Sequence, residues 1–323
     1  MKRLAGLLLS TLSVAAAAAI LFIAGPDKPT DIATDPLNPF HWADAAEAEA
    51  DPQFAEERFL EAARKGPNVP AILIRVANFY VARNEYNKAL PYLMRIISLT
   101  QAYNGIIFNY YLRAGVPLAA LIPPDSKQSA AFLYHLMARR HPESAEVWKV
   151  LESKNQTDPT LTRDWINHQF ELRHYAEANT VWKKFSPLEK PSLLDWRFTK
   201  HDHVEVTENP ITLRFDGTAN SDFRHITRNY VLTPGKYRLN VDWESARITT
   251  NEGPFVQVLG QAIPALLGTN ARKTDHLDFV VPVGQPVVTV TIIRRPSQKF
   301  DNKIQGTLTI HKIEITPSSP DRQ

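Results

Sequence analysis

Tyr237-Arg238-Leu239-Asn240-Val241-Asp242-Trp243 alternates apolar and polar side chains at every step. That is the period of a half-buried strand, and its apolar members are mostly aromatic or branched. Earlier in the chain, Ala178, Val181, Trp182 and Phe185 lie at i, i+3, i+4 and i+7. That spacing draws one apolar stripe along a helix. The rhythm changes after Pro187 and Pro191, near residue 190. The chain therefore reads as helical first and β second.

Outward from the Tyr237 segment the two-residue period recurs. Leu213 and Phe215 flank Arg214, and Val288, Val290 and Ile292 alternate with Thr289 and Thr291. Leu308 and Ile310 are followed out of phase by Ile313 and Ile315, a slip that fits a bulge or a strand end. Turn signals at Asp216-Gly217, Pro234-Gly235, Asn251 to Pro254 and Val283-Gly284 separate the runs. Short alternating strands with regular turns predict an antiparallel β-sandwich of about eight strands.

Outward in the other direction, Ala55, Phe59, Ala62 and Ala63 follow a helical period. So do Ile72, Val76, Phe79 and Tyr80, and Ala89, Leu93, Ile96 and Ile97. Breaks at Gly66-Pro67, Asn84-Glu85, Gly115 to Pro117, Pro123-Pro124, His141-Pro142 and Asp158-Pro159 keep the helices short. Short helices joined by short turns predict stacked hairpins. The aromatics Tyr80, Tyr110, Tyr111, Tyr134, Trp148, Trp165 and Trp182 are read as packing. Trp243 is read as core, and Trp196 as a seal at the entry of the β half.

Two hairpins share a signature: Tyr86-x-x-Ala89-x-x-x-Leu93 and Tyr175-x-x-Ala178-x-x-x-Trp182, with Ala77 and Tyr80 upstream of the first. This resembles a degenerate tetratricopeptide repeat, in which small residues let two helices approach closely. In the β half the resemblance is carried by Leu194 to Arg197, Leu213 to Gly217, Asp222 to His225, Pro234 to Leu239, Thr249 to Gly253 and Arg294 to Gly306. With Asp35-Pro36-Leu37-Asn38-Pro39, these segments resemble bacterial membrane-anchored proteins that join degenerate tetratricopeptide repeats to a jelly roll similar to carbohydrate-binding modules. Such proteins are encoded near polysaccharide polymerases or O-antigen ligases. The resemblance implies a fold, a compartment and a pathway, and no established activity. An Asn-Gly-Phe-Glu opening is absent before Trp196, and His311-Lys312 replaces the acidic pair of the last strand. Both departures remove parts of a standard calcium or glycan site.

Lys2 and Arg3 precede the uncharged run Leu4 to Ala24. As a helix it would span about 30 Å, the thickness of a bilayer core. Cleavage after Ala19 would expose Ile20-Leu21-Phe22-Ile23, so the run is read as a signal anchor rather than a cleaved leader. Its positive end places the rest on the extracytoplasmic side, and the resemblance then implies a single-pass protein of a bacterial inner membrane with its bulk in the periplasm. The expected layout is an anchor at 1–25, a Pro-rich linker at 26–42, a tetratricopeptide-like helical domain at 43–190, a jelly-roll β-sandwich at 191–317 and a disordered tail at 318–323.

Among its 323 residues the chain has 37 Lys and Arg, 34 Asp and Glu and no Cys. Without Cys there is no disulfide framework, thiolate metal site or Cys nucleophile. A net charge of +3 gives no argument for nucleic acid. HExxH, Gly-x-Ser-x-Gly and phosphate-cradling loops are missing. His201-Asp202-His203 has the spacing of a metal pair but no clear third ligand, and reads as a solvated loop. Asp216 and Asp301-Asn302 offer oxygens to calcium, yet suit turns equally. No cofactor is expected.

The polar clusters that remain are Asp222-Phe223-Arg224-His225, Arg294-Arg295 and Phe300-Asp301-Asn302. Arg294 continues the inward face of Val288, Val290 and Ile292. It must reach a strand end or pair with a carboxylate such as Asp222 or Asp301. One reading is a buried ion pair that locks the sandwich. The other is a groove in which Arg forks take an anionic glycan and Phe223 or Phe300 stacks on a sugar. The leading functional expectation is a non-enzymatic, membrane-tethered scaffold in cell-surface polysaccharide assembly or export. Its repeats would bind an envelope protein and its jelly roll a glycan or a subunit. The alternatives are a strict carbohydrate-binding module with a helical spacer, and a glycan-active enzyme using Asp242 and Glu244.

Overall fold

The protein is described here by a computed structural model covering residues 32–33, 35–268, 271–300 and 302–318. Among the described residues no helix is long and apolar enough to cross a membrane. The expected transmembrane helix at 1–25 lies outside them. That part of the predicted fold, and the single-pass inner-membrane location built on it, are corrected accordingly. The linker at 26–42 is described only in part, and the tail only at Ser318.

Two compact units meet between Gln156 and Thr157. The first holds α1 (Pro39–Glu47), α2 (Pro52–Lys65), α3 (Pro70–Ala82), α4 (Tyr86–Leu99), α5 (Asn104–Tyr111), α6 (Ser126–Ala138) and α7 (Ser144–Ser153). A proline opens each of α1, α2 and α3, where its missing N–H costs nothing. Asn38 and Asp51 cap the first two, accepting from the amides of Phe40 and Gln53 at 3.0 and 2.8 Å. Helix α3 packs on α4 as a hairpin, with Ala77 and Ala89 both fully buried. Leu93, Ile96 and Ile97 fill the stripe beneath them.

Four helices stop by one device. Asn84, Arg140, Asn155 and Arg173 all adopt positive φ, from 50 to 65°. The next amide in each case returns to the last turn: Glu85 to Tyr80, His141 to Leu136, Gln156 to Leu151 and His174 to Gln169. These are left-handed caps closed by a six-residue bond. The repeat character therefore lies in how helices end as much as in their small-residue contacts.

His135 in α6 presses its ring edge against Phe108, with centroids 5.3 Å apart. Burial, and then the Arg139 guanidinium, pull its pKa from 6.5 down to about 4. The unfolded chain therefore takes up this proton first. The stability linked to it is full above 6.5 and is lost as pH falls toward 4. Melting temperature should fall across that window, and His135→Leu should flatten the fall. An unchanged pH profile in the variant would remove His135 as the cause.

The second unit begins with the hairpin α8 (Pro159–Glu171) and α9 (Tyr175–Phe185). Among the described residues ten strands follow: β1 (Arg197–Phe198), β2 (Val204–Glu208), β3 (Ile211–Asp216), β4 (Phe223–Val231), β5 (Gly235–Ala246), β6 (Phe255–Val258), β7 (Gln261–Ala262), β8 (Lys273–Val281), β9 (Val287–Arg294) and β10 (Gln305–Pro317). They form two antiparallel sheets, ordered β1-β4-β9-β6-β7 and β2-β3-β10-β5-β8. From β3 to β10 the chain passes repeatedly between the sheets, the winding of a jelly roll. The slip between Ile310 and Ile313 is a bulge at His311. Leu213, Leu239, Val241, Trp243, Val290, Ile292 and Leu308 meet in the core, where each fully buried aliphatic side chain stabilises by about 1.5–3 kcal/mol.

The change of rhythm near 190 marks the change from helix to strand, yet the compact unit runs across it. Helix α9 packs on β4. Arg228 of β4 lies over the rings of Trp182, Trp196 and Tyr230, at 5.2, 5.9 and 4.7 Å from their centroids. Its Nε donates to the carbonyl of Leu194 at 3.2 Å. Asp195 accepts from the Trp182 indole at 2.8 Å, and Leu193 N–H donates to Asn167 of α8 at 2.8 Å. This lattice of polar contacts attaches the last helical hairpin to the sandwich.

Candidate functional site

At one end of the sandwich, Arg294 is fully buried. Among the described residues its acceptors are neutral. Nη1 donates to Asn220 Oδ1 at 2.9 Å and to the Ser221 carbonyl at 2.5 Å. Nη2 donates to the Asn302 carbonyl at 3.0 Å, and Nε to the Glu252 carbonyl at 3.3 Å. Burial pulls the guanidinium pKa down, while Glu252 and Asp222 oppose the shift. Asn220 completes the knot, accepting from Ser297 N–H and donating to Ser297 O, both at 2.9 Å. One cation thus ties together three loops.

Asp222 pairs instead with exposed Arg224, at 3.3 Å. Phe223 is fully buried, its ring centroid 6.5 Å from that of Phe215. His225 is half-buried, with its centroid 4.9 Å from His201. Burial and then His201 lower the His225 pKa, so the imidazole favours its neutral form. Arg295 lies 5.5 Å from the centroid of Phe255, and Phe300 is wholly exposed. Asn302 serves through its backbone carbonyl, and Asp301 lies outside the described residues. Phe223 at the start of β4 pairs with Arg294 at the end of β9, so the two clusters share an end of the sandwich.

The open cleft lies beside them. It has a volume of about 780 Å³ and runs along β2 and β3 under the turn at 199–203. Lys200, His201, Asp202, His203, Glu205, Arg214, Asp216 and Gln305 supply its polar wall, and Phe198, Val204, Val206 and Phe215 its apolar one. Asp216 Oδ1 accepts from Thr218 N–H at 2.8 Å and from its hydroxyl at 2.7 Å. Its Oδ2 lies 3.1 Å from His203 Nδ1. The two Thr218 bonds, reinforced by His203, hold the Asp216 carboxyl down to about 2. Across the β2–β3 pair, Glu205 faces Arg214 at 3.9 Å, and both side chains are about three-quarters exposed, at 70% and 75%. The reading of His201-Asp202-His203 as a loop is matched by the turn observed there. Its place in a cleft carries no local sequence signal, because β3 and β10 supply the opposite wall.

Among the described residues no group of three or more His, Cys, Asp or Glu could hold a metal ion. Asp216 serves a turn. Asp242, one of the two acids considered for glycoside chemistry, is bound by Arg272, which keeps it ionised. Glu244 lies 3.5 Å from His311. Trp243 is buried and donates to Asp275 at 2.8 Å.

The helical unit has its own groove, of about 420 Å³, with Ala46, Ala55, Phe59 and Phe79 along its floor. Arg75 is held at its lip by Asp44 at 2.6 Å and Glu47 at 2.7 Å. Arg83 lies over Phe79, 5.2 Å from the ring centroid.

No protein-family model matches this chain, and no curated protein matches it. Among solved structures it is similar to one from a functional characterisation of Pseudomonas aeruginosa pilF, at 15% identity and a TM-score of 0.21. That match covers 48% of this chain and 80% of the other. It is also similar to a family 35 carbohydrate binding module from an environmental isolate, at 13% identity and a TM-score of 0.22. Here 39% of this chain and 90% of the other are covered. Neither TM-score is high enough to bear on function. The helical hairpins and the jelly roll stand on the coordinates.

Proposed function

We propose that the chain is a non-enzymatic adaptor. Its tetratricopeptide-like hairpins bind a protein partner, its jelly roll contacts a glycan, and the pair serves assembly or export of a cell-surface polysaccharide. The observation that supports this most is the open, polar cleft along β2 and β3. Its volume lies within the roughly 300–1,000 Å³ typical of ligand clefts. Its wall mixes carboxylate, guanidinium, imidazole and amide groups, the partners that sugar hydroxyls use. The floor of the helical groove favours an adaptor over a plain spacer, because a spacer has no need of an open apolar trough. The mechanism is effective concentration: one module holds the protein while the other holds the chain it acts on. An envelope protein as the partner rests on the family resemblance.

The test is calorimetric titration of the full chain with neutral and acidic polysaccharides. Saturable heat with at least one class is expected. Absence of binding across both classes would overturn the glycan half of the proposal.

A further inference from the structure

We infer that the cleft along β2 and β3 takes a neutral glycan and excludes acidic ones, with Glu205 and Arg214 as the residues that engage its hydroxyls. This rests on the glycan reading of the jelly roll given above.

Charge makes the first argument. Lys200 and Arg214 contribute two cations to the wall, against three carboxylates from Asp202, Glu205 and Asp216. Asp216 stays ionised, since Thr218 and His203 both stabilise its charge. A uronate entering the cleft adds a fourth anion to this wall. Arg214, its natural fork, already faces Glu205 at 3.9 Å. A sugar hydroxyl, in contrast, both donates and accepts. A carboxylate beside a guanidinium on adjacent strands can serve neighbouring hydroxyls, one as acceptor and the other as donor.

Availability makes the second. Arg294 is fully buried and each of its three nitrogens already donates to a neighbouring loop, so it does not face a ligand. The Glu205 and Arg214 side chains are 70% and 75% exposed and belong to paired strands rather than to a loop. Their positions are fixed by the β2–β3 ladder, a rigidity that favours binding. Phe198, half-buried in the apolar wall of the cleft, offers a surface for the C–H face of a sugar.

The experiment titrates the full chain at pH 7.5 with a neutral gluco-oligosaccharide, a neutral manno-oligosaccharide and an oligogalacturonate. Wild type, Glu205→Ala and Arg214→Ala are compared, and thermal melts verify that both exposed substitutions leave the fold intact. At least one neutral probe should bind, each substitution should weaken it about tenfold or more, and oligogalacturonate should bind about tenfold more weakly than the neutral probe. Tighter binding of the uronate overturns the neutral preference and leaves the glycan reading standing. Neutral binding that both variants retain moves the site elsewhere and overturns this inference alone. Failure of all three probes to bind overturns the inference together with the reading beneath it.

Discussion

Arg294→Met is expected to cost the β unit about 3–5 kcal/mol, roughly 10 °C or more in melting temperature. The side chain is fully buried and supplies four hydrogen bonds, three to backbone carbonyls and one to Asn220. Met fills much of the volume but donates nothing. The carbonyls of Ser221, Glu252 and Asn302 lose their donor, and each is stranded or must move to find water, while Asn220 Oδ1 is left with the Ser297 N–H alone. Arg294→Lys should recover little, since one ammonium lacks the planar spread of five donors that reaches three loops. A Met variant that melts within about 2 °C of wild type would mean that the loops hold themselves.

Gly306→Ala is the second large effect. Gly306, the second residue of β10, sits opposite Phe215 with φ +122°, a backbone state that only glycine adopts readily. A methyl group there would fall on the carbonyl of Arg247 and lie 2.7 Å from that of Ala246. Both neighbours are backbone, so no side-chain rotation relieves the clash. The expected loss is at least about 3 kcal/mol. Gly284→Ala provides the control, since it has φ +86° and open space around the added carbon. Its cost should stay near 1 kcal/mol, that of the left-handed conformation alone. Equal losses at the two positions would refute the close approach as the cause.

These two residues also mark where the sequence can be read and where it cannot. Arg294 is in phase with Val288, Val290 and Ile292, so its inward direction is legible from alternation alone. Its acceptors are not. They are carbonyls, which every residue owns, and two of them come from residues 73 and 42 positions away. An ion pair is the natural expectation for a buried Arg, whereas among the described residues its hydrogen-bond acceptors are neutral dipoles. Strands β3, β5, β9 and β10 announce themselves through alternating branched and aromatic residues. Strands β1 and β7 are two residues long and show no period at all. The helix breaks follow from Pro, Gly and Asn chemistry, yet Arg140 and Arg173 also take the left-handed state, which their residue type does not signal. The cleft was hidden for a further reason. Its walls come from a turn at 199–203 and from strands β2, β3 and β10, so only the pairing of strands brings Lys200, Glu205, Arg214 and Gln305 together.

The cage around Arg228 has a consequence for how such a chain can be taken apart. Trp182 lies before the switch to strands, while Trp196, Tyr230 and Arg228 lie after it. A breakpoint at Pro191, whether made by recombination or in the laboratory, would remove one indole from the stack and leave Leu193 N–H without Asn167. The shortest heritable cassette that keeps these bonds starts at Thr157. A jelly roll moved between proteins would therefore carry its last helical hairpin with it.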